Sequence, residues 1–238
     1  MNTMQAAGPA PGECLQPTYF LDYDTPEVAA FAAAACGGIA SPRARAIALY
    51  DAVRDGIRYD GYRVQLNRQG FRASQALADG YGFCISKAAL LTASARAAGI
   101  PARLGYGDVR NHLTTEKLRA RMQTDLFTFH GYSELWIEQR WVKATPAFNL
   151  GLCEKFGVKP LDFDGVTDSV FHPYRTDGSL HMEYIRDHGA FADIPFDRIL
   201  ASWAITSPAI TDEDQSLLDG DFAEDAARER AAQGQTVT

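Results

Sequence analysis

This chain of 238 residues is short of several things, and each shortage excludes something. Four cysteines (Cys14, Cys36, Cys84, Cys153) lie far apart with no C-x-x-C pair, so neither a thiolate zinc site nor a disulfide framework is indicated. The five histidines (His112, His130, His172, His181, His188) show no H-x-x-x-H spacing, so no metal is assigned and no cofactor is expected. No apolar run approaches the roughly 20 residues that cross a bilayer, and Met1 to Gly12 has no basic stretch leading into an apolar one, so neither a membrane partner nor a secretory signal is expected. A cytoplasmic protein with free thiols is the expectation. Basic charge is scarce as well. The formal charge is −7, and eight acids against two arginines from Thr211 onward account for −6 of it. The near-neutral remainder offers no basic stripe for phosphate backbones, which disfavours nucleic acid as a partner. Repeats and low-complexity tracts are missing too. Nothing in the composition speaks to oligomeric state.

What is present is the composition of a globular domain: 46% apolar and 22% charged residues, with aromatics spread along the chain. The expected organisation is a flexible leader at 1–18, one catalytic domain at 19–208, and an acidic, solvated, mobile tail at 209–238. Thr25-Pro26-Glu27 and Ser41-Pro42 open two helices, the second with apolar residues at Ala46, Leu49, Tyr50, Val53 and Ile57. A third helix is expected over 74–79. A fourth spans Phe83 to Ala98 (FCISKAALLTASARAA) and is closed by Gly99 and Pro101; its many small residues suit burial on several sides. A short basic helix is expected over 114–122. Strands are expected over 102–106, then over 129–138 and 141–145 as a hairpin turning at Gln139-Arg140. Helices first and strands later define an α+β domain.

Cys84 stands out because a cysteine in the first turn of a buried helix meets unpaired N–H groups and the positive end of the helix dipole, both of which favour the thiolate. Gly82 keeps side-chain bulk away from the approach to the sulfur, so that a carbonyl can reach it and nearby backbone donors. A bland reading makes Cys84 a small core residue. The segment His130-Gly131-Tyr132-Ser133-Glu134 favours chemistry instead, since an imidazole on a strand facing a helix-borne thiol can act as its base.

Gly82-Phe83-Cys84, then Ala89 to Arg103 (ALLTASARAAGIPAR), then His130 to Pro146 (HGYSELWIEQRWVKATP) resemble, in that order, the motifs of the transglutaminase-like superfamily. The likeness spans roughly residues 25–149. It implies a papain-like α+β fold, with N-terminal helices and a central nucleophile helix packed on an antiparallel sheet. It also implies a Cys-His-Asp triad with Cys84 and His130 as the first two members. The usual Asp position holds Thr145, which carries no charge. With the turn at Gln139-Arg140, pairing sets Asn149 opposite His130 and Thr145 opposite Glu134, so Asn149 is the expected orienting residue. Glu134, Asp162 and Asp164 are weaker alternatives. Tyr81, Gly82 and Tyr132 are the expected substrate contacts.

The expected reaction is acyl transfer through a thioester on Cys84, with a peptide-like or small acyl substrate and with hydrolysis favoured by the resemblance. An amide-forming acyltransferase and a catalytically dead binding module are the alternatives. Lys117, Arg119 and Arg121 read as a solvated helix face, Trp136 and Trp141 as hairpin core, and Cys14, Cys36 and Cys153 as structural thiols.

Overall fold

The computed structural model describes residues 8–112, 114–171, 181–210 and 218–235. Helices α1 (Pro26–Cys36) and α2 (Pro42–Gly56) start at the expected caps; the Ser41 hydroxyl accepts from Ala44 N–H at 3.3 Å. Strand β1 (Arg58–Tyr59), helix α3 (Ala73–Asp79) and strand β2 (Tyr81–Gly82) follow, β1 and β2 forming a small parallel pair. Helix α4 (Cys84–Ala97) begins immediately after β2. Its residues from Ile85 to Arg96 are all buried, because α1, α2, α3 and two sheet strands pack around it. A stripe of alanines lets those neighbours come close.

Strand β3 (Ala102–Asn111), helix α5 (Glu116–Met122), strands β4 (Leu126–Ile137) and β5 (Arg140–Ala144), helix α6 (Leu150–Phe156) and strand β6 (Met182–Phe191) come next. Helices α7 (Phe196–Thr206) and α8 (Phe222–Gln235) complete the described chain. The sheet has the order β5-β4-β3-β6 and is antiparallel throughout. One apolar cluster lies between the N-terminal helices and the sheet. A second gathers Tyr62, Leu118, Phe148, Phe156 and Phe222, and Cys84 touches both clusters.

Three expectations are corrected. The hairpin turns at Glu138-Gln139, both with positive φ (50° and 64°), so Ile137 faces Arg140 and Glu134 faces Lys143. That two-residue turn matches the right-handed strand twist, and it needs left-handed backbone that Glu and Gln do not advertise. Thr145 therefore does not lie opposite Glu134; its N–H donates to Ser169 O at 3.0 Å. The leader is not loose from residue 8 onward: Cys14 is fully buried, and Arg103 and Arg96 donate to the carbonyls of Pro9 and Gln16. Residues 1–7 lie outside the described part. The tail is not solvated over 218–235: Phe222 is buried against Tyr59 and Tyr62, and Asp221, Asp225 and Glu229 bind Arg58, the Tyr62 hydroxyl and the Glu116 N–H. An amphipathic turn of chain buries its apolar side whatever its net charge.

Candidate active site

Phe83 is the extended residue ahead of α4, and Ser86 closes the helix start by accepting from Phe83 N–H at 3.0 Å. This makes Cys84 the first helical residue. Gly82 serves that cap: a Cβ there would lie 2.6 Å from Ser86 Oγ. On the strand side, a Cβ on Gly131 would lie 3.1 Å from Ile85 Cα, so the missing side chain lets β4 close on the start of α4. The close approach brings the backbone N–H of Gly131 to the Cys84 sulfur, alongside those of Ile85 and Cys84 itself.

Burial nevertheless dominates the sulfur. It pushes the Cys84 thiol up to about 11, and those three N–H groups only partly oppose the rise. Burial thus opposes the thiolate that the helix start was expected to favour, since the dipole argument omits the cost of removing an anion from water. His130 is 5% exposed, and burial pushes it down to about 4. Burial thus favours the uncharged form of both groups. Both line one pocket of about 70 Å³, walled by Phe83, Leu118, Met122, Phe127 and Trp203. His130 Nδ1 is buried and has no hydrogen-bond partner among the described residues. The ring's edge meets Phe171, with centroids 5.6 Å apart.

The peptide ahead of His130 is held in an unusual way. β3 and β4 lose register between Gly107 and Val109, and Phe129, opposite this bulge, has φ 56°. A bulge leaves backbone groups without ladder partners. Side chains replace them: Trp203 Nε1–H donates to Thr128 O at 3.0 Å, and Phe129 N–H donates to Asp108 Oδ1 at 3.1 Å. Both ends of the Thr128–Phe129 peptide are therefore fixed by residues distant in sequence. Asp108 is held in turn by His188 Nε2 at 2.6 Å, and the His188 ring stacks on Phe129 at 4.0 Å. Sequence reading missed Asp108, His188 and Trp203; a carboxylate inside the apolar run LGYGDV was the one available hint.

The other expected site residues lie elsewhere. Asn149 precedes α6 and its Oδ1 accepts from Tyr59 N–H at 3.1 Å. With the register two residues from the expected one, it is not across from His130, and its oxygen ties α6 to β1. Tyr81 packs under Arg63, whose guanidinium lies 5.4 Å from the ring centroid. Tyr132 lies across Gly105, accepts from Lys143 Nζ at 3.1 Å, and lines a separate cleft of about 330 Å³ with Tyr184 and Asp168. Glu134 is paired with Arg103 at 2.6 Å. Asp162 is mostly exposed, and Asp164 accepts from the N–H groups of Val166 and Thr167. His112 pairs with Glu183 at 3.0 Å, and His172 lies outside the described residues. Among the described residues no three His, Cys, Asp or Glu side chains converge as metal ligands.

A half-buried thiol at a helix start, an imidazole on the neighbouring strand and one pocket shared by both define a cysteine-centred α+β site. Residues 29–146 match the transglutaminase-like superfamily. No curated protein matches the chain significantly. Among solved structures, a candidate cysteine protease from Cytophaga hutchinsonii is similar with a TM-score of 0.43 and 22% identity, over 56% of this chain and 40% of its own. A candidate protease from Parabacteroides distasonis has a TM-score of 0.37 and 14% identity, over 57% of this chain and 25% of its own. The matched region is thus less than half the length of either protein.

Proposed function

We propose that the chain is a cysteine-dependent acyl-transfer enzyme that hydrolyses a peptide-like or small acyl amide, with Cys84 as nucleophile and His130 as general base and acid. The observation carrying this reading is that Sγ and the imidazole line the same pocket while His130 Nδ1 has no partner among the described residues. A neutral imidazole with a vacant nitrogen is the form that accepts a proton. As Sγ attacks the carbonyl carbon, His130 takes the thiol proton and then delivers it to the departing amine, leaving a thioester on Cys84. Water adds to the thioester with His130 again as base, releasing the acid and restoring the thiol. The N–H groups that converge near Sγ are the available donors to the developing oxyanion.

Water is favoured over an amine acceptor because no carboxylate lines the pocket to receive a cationic amine. A reducing compartment, the cytoplasm, fits four free cysteines. No helix among the described residues is long and apolar enough to cross a membrane. The test is a mass-spectrometric screen of peptide amides with and without hydroxylamine. Free acid, hydroxamate when hydroxylamine is added, and loss of both in Cys84→Ala with an unchanged circular dichroism spectrum are expected. Turnover retained by Cys84→Ala defeats the assignment.

A further inference from the structure

The pocket at Cys84 holds information about what the sulfur would attack. Its walls are almost wholly apolar, and its volume of about 70 Å³ is about half of the roughly 150 Å³ in which an engineered apolar cavity holds benzene. An aromatic ring or a long chain does not fit such a space. A charged group would lose its hydration without a countercharge. Besides Cys84 and His130, three wall residues carry aliphatic hydroxyls: Thr128 and Thr206, whose hydroxyls are bonded to each other and to Ser202, and Ser207. Ser207, 2% exposed, lies just beyond α7, and its Oγ has no hydrogen-bond partner among the described residues. Buried hydroxyls are nearly always bonded, because an unsatisfied one loses its hydration without compensation. A group that arrives with the substrate would satisfy it.

In a covalent intermediate on Cys84 the leaving group has departed, and the acyl chain stays in the space that the sulfur faces. From the volume, the apolar walls and the orphaned hydroxyl, we propose that the enzyme accepts a short, uncharged acyl group of about four carbons, aliphatic except for one hydrogen-bonding atom that meets Ser207 Oγ. This rests on the acyl-transfer reading above and adds the substrate class to it. The acyl carbon forms a bond to Sγ and breaks its bond to the leaving atom. The Sγ proton passes through His130 to that leaving atom, so no other reactant is needed.

The test uses N-acetylcysteamine thioesters of butyrate, 3-hydroxybutyrate, succinate and decanoate, with acylation of Cys84 followed by intact-protein and peptide mass spectrometry. Butyryl and 3-hydroxybutyryl should acylate at least about tenfold faster than succinyl and decanoyl, and Ser207→Ala should remove any advantage of 3-hydroxybutyryl over butyryl. Equal rates for succinyl or decanoyl, or a butyryl to 3-hydroxybutyryl ratio indifferent to Ser207→Ala, overturns the proposal while the acyl-transfer reading stands. If iodoacetamide alkylates Cys84 but none of the thioesters acylates it, the acyl-transfer reading itself falls, and the substrate class with it.

Discussion

Iodoacetamide offered to the native protein from about pH 5 to about pH 11 separates two ways in which a thiol and an imidazole can share a pocket. If they rest as an ion pair, Cys84 is already a thiolate at acid pH, and labelling persists far below neutrality. Burial favours the neutral pair instead, raising the thiol to about 11 and lowering the imidazole to about 4. A thiol at about 11 leaves roughly one molecule in 10⁴ as thiolate at pH 7, against about 3% for a free cysteine near 8.5. The more basic sulfur regains about tenfold in intrinsic nucleophilicity at a Brønsted slope of 0.4–0.5. Cys84 should therefore alkylate about 20- to 30-fold more slowly than free cysteine at pH 7, with a rate still climbing above pH 9. Peptide mapping distinguishes it from half-buried Cys36 and from buried Cys14 and Cys153. His130→Ala should change the pH 7 rate by less than about threefold, because a neutral imidazole holds no thiolate in place. A labelling plateau beginning near pH 5 that collapses in His130→Ala refutes the neutral-pair reasoning.

Three other outcomes follow from the same contacts. Asp108→Ala leaves Phe129 N–H without its acceptor and should lower kcat about 10- to 100-fold with KM little changed, whereas Asp108→Asn, which retains an acceptor oxygen, should recover most of the loss in steady-state assays. His130, depressed from 6.5 to about 4 by burial, binds fewer protons folded than unfolded. Its contribution to stability is complete above about pH 6.5 and is lost as pH falls toward 4, by up to about 3 kcal/mol, a slope that urea melts should find missing in His130→Gln. Lys87, fully buried one turn beyond Cys84, donates to the carbonyls of Arg54 and Ile57 at 2.9 and 2.5 Å; Lys87→Met should cost about 2–4 kcal/mol in denaturant melts by leaving the end of α2 without a donor.

The helix that carries Cys84 was legible in the sequence, because its cap, its small residues and its closing glycine are local signals. The α+β order and the pairing of Cys84 with a strand-borne His130 were legible through the motif order. Register was not: Glu138-Gln139 adopts a turn usually signalled by Asn or Gly, and the two-residue error moved Asn149 to the base when its oxygen belongs to Tyr59. Nor was the state of the sulfur legible, since a helix start is visible in sequence and the depth of burial around it is not. Asp108 and Trp203 bond the peptide ahead of His130 across long sequence separations, and single-chain patterns carry no sign of such partners.

The grip of Trp203 on Thr128 O crosses the boundary of the recognisable superfamily segment, which ends at residue 146. The strand segment ahead of His130 is thus held by a part of the molecule that lies outside the matched motifs. Whatever shifts α7 by a fraction of an ångström, whether a mutation on its outer face or a bound molecule, has a direct handle on the imidazole. A fragment trimmed to the family core would keep the nucleophile and the base but lose the rudder.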